Sequence, residues 1–275
     1  MRTLYVSDLD GTLLTPEARL SARTTEILNA LIGKGLCFSY ATARSIATSA
    51  KVTEGLRASL PVVTKNGTFL VDPSTRQIVD KTIFTPEEAR EILEAYHRHG
   101  LRPLVFTLLD GKDVYSYEEG HVSPGNGRFL ASHAGDGRAR PLPSEDGLLD
   151  GEVHYFVSIG TEAELRDAAE ELGRSWRCIL SRDTYTEDMW LEVMPRHATK
   201  AEGVQRLKAI TGCDRVVAFG DGVNDLPMFQ IADACYAMED ADKRLKSAAT
   251  AVIGSNTRDG VAEWLLAHAE LEEGR

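Results

Sequence analysis

Leu4-Tyr5-Val6-Ser7-Asp8-Leu9-Asp10-Gly11-Thr12-Leu13-Leu14 reads as a short apolar strand running straight into two carboxylates and a glycine. Period-two alternation places Asp8 and Asp10 on one side of the emerging chain, and Gly11 permits a sharp turn after them. In open parallel sheets, sites lie beyond the carboxyl ends of strands. Two carboxylates there are costly unless a cation lies between them or one carries a proton. Taken alone, the pair is equally an N-cap or a surface turn.

Outward from this stretch, Leu36 to Tyr40 is a second apolar run and Pro61-Val62-Val63-Thr64 a third. Between the first two, Ile27, Leu28, Leu31 and Ile32 fall at helical spacing after Ser21, with Gly33 and Gly35 as stop signals. Strand, helix, strand, helix, strand predicts right-handed crossovers and a parallel sheet. The same grammar returns in Arg215 to Phe219, Cys235 to Met238 and Ala251 to Ile253.

The middle differs. Thr85-Pro86-Glu87-Glu88 and Thr161-Glu162-Ala163-Glu164 are capping boxes; the first opens a helix to about His99 and the second one that stops at Gly173. Leu104 to Leu109 and Val114 to Tyr117 flank Asp110-Gly111-Lys112-Asp113, a hairpin signal, and Val153 to Ile159 and Arg177 to Ser181 read as further strands. The fold class is therefore α/β: a Rossmann-like, doubly wound parallel-sheet core, residues 1–82 and 191–275, with an α+β insert at residues 83–190. Glu118 to Gly151 holds seven glycines and three prolines in 34 residues, and reads as a long irregular loop or a flap near a site.

Composition bounds the function. A chain of 275 residues makes one large or two modest domains. With 43% hydrophobic and 27% charged residues it is neither disordered nor collagen-like. No apolar run is long enough to span a bilayer, and Asp8 falls where a signal peptide needs apolar residues. The net charge of −11 argues against nucleic-acid or anionic-membrane partners, although a metal or local cations still permit phosphate binding. Cys37, Cys178, Cys213 and Cys235 form no C-x-x-C pair, as expected for reduced thiols in a cytoplasmic protein. No G-x-G-x-x-G follows a strand, which excludes a nicotinamide-dependent redox enzyme.

Three further stretches carry chemistry. Ala41-Thr42-Ala43-Arg44-Ser45 offers a hydroxyl and backbone N–H groups where a strand meets a helix, a place for an anion or simply an N-cap. Lys65-Asn66-Gly67 is a turn after the third strand. Phe219-Gly220-Asp221-Gly222-Val223-Asn224-Asp225 again follows a buried strand and delivers two carboxylates and an amide. Four aspartates at two parallel strand tips suit a hard cation, with Mg²⁺ the default for phosphate chemistry. Lys200, after His197-Ala198-Thr199, opens a helical stretch; alone it would be a solvated surface lysine.

Together, Asp8-Leu9-Asp10-Gly11-Thr12, Thr42, Lys200, and Gly220-Asp221 with Asn224-Asp225 resemble the four ordered signatures of the haloacid dehalogenase superfamily. The chain is especially similar to its Cof-type, subfamily IIB phosphatases, whose Asn-Gly turn matches Asn66-Gly67 and whose insert is a C2-type cap. It departs from the family in carrying Ala43 where glycine is usual and Lys65 where a small hydroxyl residue is common. The resemblance implies a Mg²⁺-dependent phosphomonoesterase acting on a small phosphate ester, a sugar phosphate first among them. Asp8 would be the nucleophile, Asp10 the general acid and base, and Lys200 the neutralising cation. Leu9, Thr42, Ala43, Arg44, Asn66, Lys200 and Asn224 would bind substrate or its phosphate. Asp8, the Asp10 backbone carbonyl, Asp221 and Asp225 would hold the metal. Rival readings are a phosphomannomutase-type phosphomutase, a sucrose- or mannosylglycerate-type phosphatase, and a slow phosphate-sensing binding module. The sequence does not distinguish a monomer from a dimer.

Overall fold

The computed structural model of the chain describes residues 1–183 and 187–271. It divides into two compact units, Met1–Lys81 with Thr199–Arg275, and Thr82–Ala198.

The first unit is built on a five-stranded sheet in the order Ala251–Ile253, Ala234–Met238, Arg215–Gly220, Thr3–Ser7 and Cys37–Tyr40. Every pairing is parallel. The strand Thr3–Ser7 is buried throughout, the pattern of a central strand covered on both faces. Tyr5, Phe219 and Tyr236 pack against Trp264 of the helix Gly260–His268, which also lies against Ala22–Ile32. The helix Lys200–Thr211 packs with Leu226–Ile231.

The third apolar run departs from the expected parallel ladder. Val62–Thr64 meets the core sheet edge only through one parallel bridge, Val63 to Ala41. It then pairs antiparallel with Phe69–Val71, which pairs with Ile78–Lys81. The turn at Lys65-Asn66-Gly67 explains this. All three residues have positive φ, at 47°, 54° and 96°, so the chain reverses before a crossover can form.

The second unit carries a six-stranded sheet in the order Arg177–Arg182, Met189–Met194, Glu152–Gly160, Leu104–Leu109, Lys112–Glu118 and Ala139–Leu142. It is antiparallel except for its last pair. Asp110 and Gly111, both at positive φ, close the two-residue hairpin. Both capping boxes are formed, on Pro86–Arg98 and Glu162–Leu172. Ile92, Tyr96 and Leu165 from these helices share one apolar cluster with Phe156 and Leu191 of the sheet. Because Met189–Met194 pairs with Glu152–Gly160, this unit reaches Ala198 and not residue 190. The glycine-rich stretch 118–151 is not one irregular loop. Ser123 caps a helix, Pro124–Ser132, that begins on proline and sets Phe129 and Leu130 against Leu104, Phe106 and Tyr115. Trp176 and Trp190, both half-buried, pack against the apolar clusters, Trp176 edge-on to Phe84 and Trp190 edge-on to Phe129.

Candidate active site

All candidate catalytic residues belong to the first unit, at the carboxyl ends of its parallel strands. The pairing of Ser7 with Phe219 brings Asp8 and Asp221, far apart in sequence, to neighbouring strand ends. The Asp8 backbone N–H donates to the Phe219 carbonyl at 2.9 Å.

At the centre is Lys200, only 2% exposed. Its Nζ lies 2.7 Å from Asp8 Oδ1 and 2.7 Å from Asp225 Oδ1. Both carboxylates are buried as well. Burial alone would lower the Lys200 pKa, but Asp8 and Asp225 more than reverse this and hold the ammonium charged. The Leu9 N–H donates to Asp8 Oδ1 at 2.7 Å. Asp225 Oδ2 accepts from the backbone N–H groups of Asp221 and Gly222, each at 3.1 Å. Thr12 Oγ1 donates to Asp221 Oδ1 at 2.8 Å.

Glycines make this closeness possible. A Cβ on Gly11, whose φ is 75°, would run into the Asp221 carboxylate, and one on Gly220 would lie 2.6 Å from Asp225 Oδ2. On the flank, a Cβ on Gly67 would strike the Thr199 carbonyl, which precedes Lys200. Arg206 Nη2 donates to the Gly67 carbonyl at 2.7 Å and steadies the same turn.

Oxygens of Asp8, Asp221 and Asp225 all lie within 4.8 Å of one another. Three carboxylates face one ammonium, and no hydrogen bond from the described residues reaches Asp8 Oδ2 or Asp221 Oδ2. An all-oxygen set with this surplus of negative charge fits a hard divalent cation. Asp225, whose two oxygens are already engaged by Lys200 and two N–H groups, is placed to anchor the loop.

Burial also acts on the carboxyls. Burial pushes Asp8 up from 3.8 to about 7, with Lys200 opposing and Asp225 adding to the rise. Burial raises Asp221 too, against the hydrogen bond from Thr12. A carboxyl with a higher pKa folded than unfolded takes up a proton on folding, so its contribution to stability falls as pH rises through that interval. His97, whose pKa burial lowers, acts with the opposite sign. Chelator-treated chain should therefore lose more Tm between about pH 5 and pH 8 than its Asp8→Asn variant does, and Mg²⁺ should shrink the gap. Parallel Tm profiles for the two proteins would contradict this.

Asp10 goes elsewhere. Alternation does not continue past Asp8, because the chain turns through Asp10 (ψ 127°) and Gly11 (φ 75°). The Asp10 side chain is 53% exposed, and its Oδ2 and Oδ1 accept from Arg44 Nε at 2.7 Å and Nη2 at 2.5 Å. Thr42 is buried; its Oγ1 accepts from the Arg44 N–H at 3.1 Å and its carbonyl from the Asn66 N–H at 2.9 Å. Ala43 and Asn224 are exposed at their loops. Sequence reasoning named Thr12 only as part of a motif and missed Gly67, Gly203 and Arg206 as supports. A Cβ on Gly203 would lie 2.5 Å from Val63 Cγ1, so its small size lets the Lys200 helix approach.

A model of the haloacid dehalogenase-like hydrolases matches residues 5–265. The chain belongs to this family. A pyridoxal phosphate phosphatase of Escherichia coli is 26% identical over 286 residues, covering 95% of this chain and 96% of that protein. A 5-amino-6-(5-phospho-D-ribitylamino)uracil phosphatase of Bacillus subtilis is 25% identical over 277 residues, covering 94% and 95%. A crystal structure from Thermotoga maritima shares the fold with a TM-score of 0.77 at 22% identity, over 98% of each chain. Both of these relatives are named phosphatases. Among the described residues, no helix is long and apolar enough to cross a membrane.

Proposed function

We propose that the chain is a Mg²⁺-dependent phosphomonoesterase that hydrolyses a small phosphorylated metabolite through an aspartyl-phosphate on Asp8. The observation that carries this reading is the buried Asp8 carboxylate, held at Oδ1 by Lys200 with Oδ2 accepting no hydrogen bond from the described residues. An Asp8 oxygen attacks phosphorus; the Asp8–phosphorus bond forms as the bond to the ester oxygen breaks. Asp10 gives its proton to the leaving alkoxide, then takes one from the water that releases phosphate and regenerates Asp8. Lys200 offsets the charge of Asp8 so that one anion can approach another. Thr42, the Ala43 N–H, Asn66 and Asn224 would bind the phosphate, and the Leu9 N–H donates to Asp8 Oδ1. Asp8, Asp221 and the Asp10 carbonyl, with Asp225 behind them, would hold the cation, which supplies further charge neutralisation.

Every one of these groups lies in the first unit. Sugar phosphates are the first substrate class to test. The names of the two relatives add pyridoxal phosphate and a ribitylaminouracil phosphate. Four free cysteines support work in the reducing cytoplasm.

Phosphate release from this panel should require Mg²⁺, vanish with chelator, and return poorly with Ca²⁺, whose looser coordination suits turnover less well. Full activity without metal would refute the metal role. An isomerised sugar phosphate without free phosphate would make the chain a mutase.

A further inference from the structure

Arg44 holds Asp10 through a planar fork, Nε to Oδ2 at 2.7 Å and Nη2 to Oδ1 at 2.5 Å, so both oxygens of the carboxylate are engaged. Only the side chain of Arg44 is at liberty to change partner. Its N–H is tied to Thr42 Oγ1 at 3.1 Å, and its carbonyl accepts from the Lys65 N–H at 2.9 Å. The next residue, Ser45, caps the helix Ile46–Val52. Asp8 also acts electrostatically on the Arg44 guanidinium, and the two loops leave neighbouring strand ends: Ser7 pairs with Tyr40, and the Ala41 N–H donates to the Ser7 carbonyl at 2.9 Å. Meanwhile Asp10 stays outside the cluster that Asp8 forms with Asp221 and Asp225.

A guanidinium fork that fits a carboxylate also fits a phosphate, and a dianion competes strongly for it. We propose that Arg44 is shared: in the free enzyme it parks Asp10, and the substrate's phosphate takes over the fork and releases Asp10 for proton transfer. This rests on the phosphatase reading and makes Arg44 a positioning residue for Asp10 as well as a phosphate contact. Arrival of the phosphate and release of the acid–base group thereby become one event. An unoccupied site would keep that group withdrawn.

The test is a binding cycle with inorganic phosphate, measured by calorimetry in Mg²⁺ buffer, on the unmodified chain, Asp10→Asn, Arg44→Ala and the double variant. An amide cannot fill the fork from both atoms as acceptors, so Asp10→Asn should bind phosphate about fivefold more tightly by freeing Arg44. In the Arg44→Ala background the same change should alter Kd by less than about twofold, because no fork remains to be freed. Equal tightening in both backgrounds would mean only that a negative charge had been removed nearby, and would overturn the sharing. No tightening in either would mean that Arg44 never leaves Asp10 for phosphate, and would overturn it equally. Phosphate release is measured alongside on the unmodified chain. Its absence would overturn the phosphatase reading and the sharing with it, whereas release with no coupling overturns the sharing alone.

Discussion

Replacing Asp8 with Asn should lower turnover of a phosphate ester by about 10³-fold or more while the chain stays folded. The amide nearly matches the carboxylate in size, so the space around it is preserved, but it cannot serve as the attacking oxygen or form an acyl phosphate. Lys200 would keep its 2.7 Å contact with Asp225. It would lose one of two buried counter-charges, while the cost of burying the Asp8 charge, which pushes its carboxyl up to about 7, would be relieved. These two changes oppose each other, so Tm in chelator should move little at neutral pH. Steady-state phosphate release and a thermal melt on the same preparation read the two halves of the expectation. Activity above about a tenth of the unmodified chain would remove Asp8 from the nucleophile's place. A lost melting transition would show instead that its charge is needed for folding.

The clustering of the candidate site was legible in the sequence wherever its residues fall at the end of a regular element. Asp8 and Asp221 follow buried strands, and Lys200 opens a capped helix; parallel pairing then closes the sequence gap between them. Asp10 was harder. Alternation is a property of extended backbone, and it stops at the turn through Gly11, which sends Asp10 out to Arg44. Thr12 lay in plain view within its motif, yet its bond to Asp221 joins two loops that no local pattern connects. The supports formed by Gly67, Gly203 and Arg206 share this limit, because a missing Cβ matters only once its neighbour is known.

The fold shows the same division. Capping boxes and the Asp110-Gly111 hairpin are local signals, and both appear where the residues place them. Membership of a sheet is not local. Val62–Thr64 reads as an apolar strand, and sequence reasoning missed Met189–Met194 altogether; only pairing decides that the first turns into an antiparallel sheet and the second joins the inserted unit. In 118–151, seven glycines obscured a helix whose Ser123-Pro124 start was available to be read. Gly125 is there because its close approach to the Ile159 carbonyl leaves no space for a Cβ.

Lys200→Met should be the most damaging single change to stability at the site. Methionine retains an apolar stem of similar length but leaves Asp8 and Asp225 buried with no cation between them. Removing one partner of a buried ion pair typically costs about 3–5 kcal/mol, because the remaining charge is stranded away from water. In a chain of this size that corresponds to a fall in Tm of roughly 10 °C in chelator. Three observations should follow if charge is the cause. Lowering the pH should recover part of the loss, since protonating Asp8 removes one of the stranded charges. Adding Asp225→Asn should recover part of it by the same reasoning, although the backbone N–H groups of Asp221 and Gly222 would then face an amide. Mg²⁺ should narrow the gap by restoring positive charge beside the carboxylates. Turnover should fall by about 10³-fold even where the variant is fully folded, because the nucleophile would repel the incoming phosphate without the ammonium. A variant that melts like the unmodified chain in chelator would show that the two carboxylates had found another way to shed their charge. Turnover within about tenfold of the unmodified chain would remove Lys200 from the chemistry and leave it a structural cation.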